Sequence, residues 1–157
     1  MTTITLDNSE LRRRLEYAAA KLEQPTELTA AISNSFLTVV DDNFESEGRP
    51  AWAGLSLVTL AKRKAGKILT QSGRLRNSIQ GFHSADEAGV GTNLIYAATQ
   101  QFGAKQGAFG RTARNGPIPW GDIPARGYMP FRADGSLQTE AEQAVYDDVD
   151  HFYQKLF

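Results

Sequence analysis

All fourteen glycines of the chain lie between Gly48 and Gly135. Glycine weakens a helix interior, so long helices belong to the two glycine-free ends and the middle must be built from turns, loops and short strands. Charge is sorted along nearly the same boundaries. Residues 1–48 carry nine acids and four bases, residues 49–132 three acids and twelve bases, and residues 133–157 six acids and one base. The three net charges are −5, +9 and −5 within an overall −1. A basic middle is a footprint for phosphate or for an acidic protein surface. The plainer reading, which we favour, sets basic strands beside acidic helices within one fold or between subunits.

With 157 residues and 41% hydrophobic content, one core and one domain are expected over residues 1–157. Within it, residues 1–48 read as helical and acidic, 49–132 as basic sheet and loops, and 133–157 as an acidic terminal helix. The start, MTTITLDNSELRRR, lacks the apolar core of a signal peptide, and no apolar run approaches the roughly eighteen residues of a membrane helix. A soluble chain with no membrane partner is expected. Without cysteine, disulfides, thiolate nucleophiles and Cys-based metal sites are excluded, which fits a reducing compartment.

Residues 3–6 look like a short strand. Asp7, Asn8 or Ser9 can cap a first helix, whose Leu11, Leu15, Ala18 and Leu22 step by four, three and four. Pro25 interrupts, and a second helix from Thr26 puts Leu28, Ile32, Phe36, Val39, Val40 and Phe44 on one face until Gly48-Arg49-Pro50 stops it. Ser56 can cap a short helix over residues 57–65, with Lys62, Arg63 and Lys64 at the end that favours cations.

Beyond Gly73 the period becomes two, with Leu75, Asn77, Ile79, Gly81 and His83 on one side, so that Arg74, Arg76 and Ser78 share the other face of a strand. Asp86-Glu87-Ala88-Gly89 reads as a turn into Val90-Gly91-Thr92, which makes an antiparallel hairpin. A helical turn over residues 96–102 ends at Gly103. Residues 104–119 hold Lys105, Arg111, Arg114 and no apolar period, a long loop of the kind that is functional or becomes ordered on a partner. Residues 123–131 can return to the sheet as an edge between Pro124 and Pro130. Leu137, Ala141, Ala144, Val145, Val149, Phe152 and Leu156 mark a terminal amphipathic helix. The expected fold is α+β, a small antiparallel sheet packed against amino-terminal helices and a carboxy-terminal helix, with a long basic loop.

Catalytic patterns are weak. Ser78, His83 and Asp86 supply the residue types of a hydrolase triad without a nucleophile elbow. Asp147, Asp150 and His151 share a helix face, a pattern more often solvated than metal-bound. No cofactor motif is present: Gly89-Val90-Gly91 lacks the third glycine of a dinucleotide site. Trp52 and Trp120 stand among glycines and prolines, as partner anchors or, in the favoured reading, as lids over the core. Phe44, Trp52, Leu55, Leu60, Tyr96 and Phe102 are the candidate packing anchors. Bases and aromatics are not interleaved as a single-strand stacking platform needs. The competing reading is a nucleic-acid-binding module that uses the basic middle.

One ordered series of residues resembles a known family. Asn43-Phe44, Glu47-Gly48, Pro50, Trp52, Leu55, Thr59, Lys62, Ile68-Leu69, Ser72-Gly73-Arg74-Leu75, Ser78-Ile79, Val90-Gly91-Thr92, Tyr96-Ala97, Gln101-Phe102-Gly103 and Ile123-Pro124-Ala125-Arg126 resemble the phage virion morphogenesis family, the Mu-like tail completion proteins of contractile-tailed phages and prophages. The chain departs from the pattern at Gln100, where a histidine is usual, and at Gly127-Tyr128, where proline and an aromatic are usual. The resemblance implies a structural, non-catalytic subunit of the virion, present in the host cytoplasm during assembly. It would act in tail completion or head–tail joining, as a ring of copies of itself beside neck or tail proteins. Lys105, Arg111, Arg114, Arg74 and Arg76 are then the candidate contacts to a partner, or to DNA passing non-specifically through a channel.

Overall fold

The computed structural model describes residues 8–157. In order these form α1 (Ser9–Glu23), α2 (Thr26–Glu45), α3 (Leu57–Lys62), α4 (Arg74–Asn77), β1 (Gln80–His83), β2 (Ala88–Gly91), α5 (Ala97–Phe102) and α6 (Thr139–Leu156). The class is α+β, with β1 and β2 paired antiparallel in the register Gln80↔Gly91 to His83↔Ala88. The strand expected over residues 3–6 and the candidate cap Asp7 lie outside the described residues.

The long helix α2 is the centre of the molecule, with α6 packed on it and the β1–β2 hairpin docked against it. Its apolar period buries Phe36, Val39, Val40 and Phe44, each contributing about 1.5–3 kcal/mol by leaving water. The main core joins Val40 and Phe44 to Trp52, Leu75, Ile79, Ala97, Tyr128 and Met129. A second cluster ties Phe36 and Val39 to Ala141 of α6. The hairpin is held by small polar groups: Thr29 Oγ1 donates to Ser84 O at 2.6 Å and Ser33 Oγ to Gly89 O at 3.0 Å. A side chain at Gly81 would strike Ser33 Oγ, so glycine there permits the close approach.

The end of α2 explains the Glu47-Gly48 pair. Glu47 takes a left-handed φ of 56°, and the N–H of Gly48 reaches back to Asn43 O at 2.8 Å, the closing bond of a left-handed helix cap. Gly48 itself has φ +98°, and a Cβ there would lie 2.3 Å from Trp52 Cδ1. Ser56 caps α3 as expected, accepting from Thr59 N at 3.2 Å. The carboxy-terminal helix also follows its apolar spacing, with Ala141, Phe152 and Leu156 buried.

Several expectations fail for physical reasons. In α1 only Ala18 is buried, against Phe152 and Leu156 of α6; Leu11, Leu15 and Leu22 stand exposed, an apolar stripe that the described residues bury at a single position. The strand expected beyond Gly73 begins only at Gln80. Gly73, at φ +68°, opens the helical turn α4 instead. Leu75 and Ile79 are four apart, a spacing that suits a helix as well as a strand, so Arg74 and Arg76 share no strand face with Ser78. Residues 123–131 join no sheet: Ile123 makes an isolated bridge to Ala104 and Phe131 another to Leu137, because Pro124 and Pro130 lack the N–H groups a continuous ladder needs. Of the two tryptophans, Trp52 is in the core and Trp120 is 74% exposed.

Candidate functional site

Four of the residues that carry the family resemblance, Asn43, Trp52, Gln101 and Arg126, are buried and fasten one segment. Asn43, wholly buried, donates from Nδ2 to Tyr128 O at 3.0 Å and Gln138 Oε1 at 2.8 Å, while its Oδ1 accepts from Arg49 Nε at 3.0 Å. Gln101 Oε1 accepts from the backbone N–H groups of Tyr128 and Met129 at 2.9 and 3.0 Å. Trp52 Nε1 donates to Gly127 O at 2.9 Å. Arg126 donates to Ala53 O and Gly54 O, both at 3.0 Å, and burial lowers its pKa. These side chains substitute for a sheet: they fasten residues 126–131, which have no ladder, to the end of α2, the loop after it and α5. The sequence reading recorded most of these positions as a pattern and missed their role, and it did not single out Arg49 or Gln138. The available signal was polar residues lodged among apolar ones.

The catalytic patterns do not assemble. Ser78 Oγ donates to Leu75 O at 2.7 Å and lies 2.6 Å from Thr92 Oγ1, and no hydrogen bond joins it to the exposed His83. Among the described residues no three His, Asp or Glu side chains gather as a metal site, and no helix is long and apolar enough to cross a membrane. An open groove of about 670 Å³ runs between α3 and residues 122–126, with Tyr96 and Gln100 on its wall. Its charged groups are already engaged. Arg63 donates to the carbonyls of Lys64, Gly66 and Lys67. Asp122 accepts from Gln106 N and Lys105 Nζ, which together hold its pKa below the ordinary aspartate value.

The basic middle is divided by its pairing. Arg76 bridges Asp41 at 2.9 Å and Glu45 at 2.5 Å, Lys67 pairs with Glu45 at 2.5 Å, and Arg49 stands 3.9 Å from Asp42. The acids at the end of α2 thus answer three bases of residues 49–76, Arg49, Lys67 and Arg76, within one chain. Hydrogen bonding from Lys67, then Arg76, draws the Glu45 pKa from 4.5 down to about 2. A depressed carboxylate pKa adds stability that is present above the unfolded value and is lost as pH falls through the folded one. Acid unfolding should therefore steepen between pH 4.5 and about 2, and the melting temperature of Glu45→Gln should fall less over that window. Equal slopes in the two proteins would refute this role for Glu45.

Arg74 is exposed, and Lys105 pairs with Asp122 at 3.2 Å. Arg111 and Arg114 sit on a tongue formed by residues 104–123, of which the sequence suggested 104–119 as a long loop. Paired bonds Ala104 N to Ile123 O at 2.9 Å and Ile123 N to Ala104 O at 2.7 Å close its base. Gly107 N to Pro119 O, Phe109 N to Ile118 O and Thr112 N to Gly116 O continue it to the tip. Arg111 donates to Asn115 O at 2.9 Å; no ion pair reaches Arg111 or Arg114 from the described residues. Trp120 lies over Gly116, where a Cβ would sit 2.9 Å from its ring, and Phe109 of the same tongue is exposed as well. Of the candidate anchors, Phe44 and Trp52 are buried and Leu55 is half-buried. Leu60, Tyr96 and Phe102 are exposed and so stand outside the buried core: Leu60 is on α3, Tyr96 is at the groove, and Phe102 is at the end of α5 where the chain leaves for the tongue.

The profile of the phage virion morphogenesis family matches residues 6–152. The Mu-like prophage FluMu G protein 2 of Haemophilus influenzae is 31% identical over 157 residues, covering 99% of each chain. The putative capsid assembly protein G of Escherichia phage Mu is 30% identical over 149 residues, covering 87% of this chain and 86% of that one. No solved structure matches. A profile that spans nearly the whole chain, two phage relatives along most of it, and a family pattern that folds into one internal clamp agree that the chain belongs to the phage virion morphogenesis family.

Proposed function

We propose that the protein is a non-catalytic subunit that completes the tail or joins it to the head, working in a ring of its own copies against neck or tail proteins. A role in virion assembly follows from the family, and the name of the Mu relative speaks of capsid assembly. The observation that carries the finer reading is the tongue. Asn43, Trp52, Gln101 and Arg126 of the family pattern are engaged in internal hydrogen bonds, whereas the tongue presents Phe109, Trp120, Arg111 and Arg114 to solvent. Aromatic and arginine side chains on a projecting, braced segment are what dominates protein contacts. The nucleic-acid reading is weakened, because four of the twelve bases in residues 49–132, Arg49, Lys67, Arg76 and Lys105, are already ion-paired.

The test is made in the phage or prophage that encodes the chain. Replacing residues 106–121 by a short Gly-Ser turn keeps the Ala104–Ile123 closure and removes the contact. Separate heads and tails should accumulate, with joined particles down at least about tenfold by electron microscopy, the scale of losing about 1.4 kcal/mol of binding. A normal count of joined particles would reject the reading.

A further inference from the structure

On the assembly reading above, the tongue needs a surface that is acidic, partly aromatic and free. We propose that the tongue of one copy docks on the outer face of α6 of a second copy, with Arg111 and Arg114 against Asp147 and Asp150, and Trp120 or Phe109 beside Tyr146 and Tyr153.

The argument begins with what pairing leaves over. The acids of α2 are all matched: Asp41, Asp42 and Glu45 by Arg49, Lys67 and Arg76, and Glu27 by Lys21 and Lys155. The outward acids of α6 are not: among the described residues Asp147 accepts only from Gln143 at 2.8 Å and Asp150 only from Gln154 at 2.7 Å. Both carboxylates are exposed. They lie on the side of α6 away from its buried Ala141, Phe152 and Leu156, and helical spacing brings Tyr146 and Tyr153 beside them, 61% and 46% exposed. A carboxylate face bordered by aromatic rings is complementary to a tongue that carries guanidinium groups and aromatic rings. Arginine binds carboxylates through two donors and stacks on aromatic faces.

A second copy is the occupant that the charges favour. Residues 133–157 are net −5 while the section holding the tongue is net +9, so each copy carries both halves of the match. No hydrogen bond or ion pair joins the tongue to α6 within the subunit among the described residues, where α6 packs on α1 and α2. A contact between two different patches of identical chains is heterologous, and it closes into a ring or continues as a filament. Charge complementarity would set its register and speed its formation.

Reciprocal charge reversal tests it on the purified full-length chain, with assembly read by sedimentation velocity at low salt. Arg111→Glu with Arg114→Glu makes one variant and Asp147→Lys with Asp150→Lys the other. Alone, each sets like charge against like charge and should assemble at least about tenfold more weakly than the wild type. Mixed, they should assemble again in alternation, because the reversed tongue meets the reversed helix and the native tongue meets the native helix. A wild type that stays monomeric, single variants that assemble normally, or a mixture that stays apart would each overturn the proposal. If a reversed variant melts below the wild type, alanine versions replace it, and wild-type assembly by those overturns the proposal equally. The joined-particle count reads the assembly role whichever partner the tongue takes, so its failure and the failure of this interface are separable.

Discussion

Trp52→Ala should cost the folded state about 3–5 kcal/mol, the usual range for deleting a large aromatic from a core. Trp52 is 9% exposed and meets Phe44 edge-on at 5.7 Å between ring centres. Phe44 in turn touches Tyr128 at 5.4 Å, so the tryptophan borders the stack that joins α2 to residues 126–131. Its indole N–H holds Gly127 O, and the carbonyl would lose that partner too. Against a typical total of about 5–15 kcal/mol for a domain, the loss should appear as a large drop in the urea midpoint. Trp52→Phe should recover part of the packing and leave Gly127 O without its donor, which places it between the two. Gly48→Ala tests the same joint from below, because its methyl group would occupy the position of the ring and its backbone has φ +98°. Trp52→Ala melting with the wild type would show that the core does not depend on this joint.

The parts of the fold legible in the sequence are those where a local signal had no rival. The apolar period of α2, the Ser56 cap, the hairpin and the spacing of α6 each pointed to one element. Where two periods fit the same residues the reading failed, as with Leu75 and Ile79, whose separation of four serves a strand face and a helix face equally. The leucines of α1 were legible as a stripe but not as an exposed one, because burial depends on a partner layer that local spacing does not reveal. Trp52 and Trp120 have similar neighbours in the sequence and opposite fates. Trp52 is placed by the cap at the end of α2 and by Gly127, some seventy-five residues downstream; Trp120 lies on a tongue that returns only to its own base. The candidate contacts behaved likewise. The basic block was readable as a block, yet Arg76 is an internal brace to α2 and Arg111 is not, a distinction made by distant carboxylates.

Asn43 offers the sharpest test of the idea that polar side chains replace a sheet in holding residues 126–131. Asn43→Leu keeps the branched shape of the side chain, with somewhat more bulk, but removes the donor to Tyr128 O and Gln138 Oε1 and the acceptor for Arg49 Nε. Each buried group left unpaired costs about 1–3 kcal/mol. Tyr128 O and Gln138 lie inside, while Arg49 is partly exposed and can reach water. The expected loss is therefore about 3–4 kcal/mol, larger than the usual cost of a shape-conserving swap in a core. Asn43→Asp separates hydrogen bonding from shape. Its carboxylate would face two oxygen acceptors and resist ionising, so its pKa would rise in the folded state despite Arg49 nearby. Stability contributed by a raised pKa is present below the unfolded value and is lost as pH rises through the folded one. Asn43→Asp should consequently gain on the wild type as pH falls from 7 toward 4, while the ion pairs of Glu45 are still intact. In a double-mutant cycle with Gln138→Ala, the two losses should also add to less than their sum, since the same hydrogen bond is broken in both. Additive losses, with an Asn43→Asp deficit that does not change with pH, would mean that Asn43 fills space without clamping the chain.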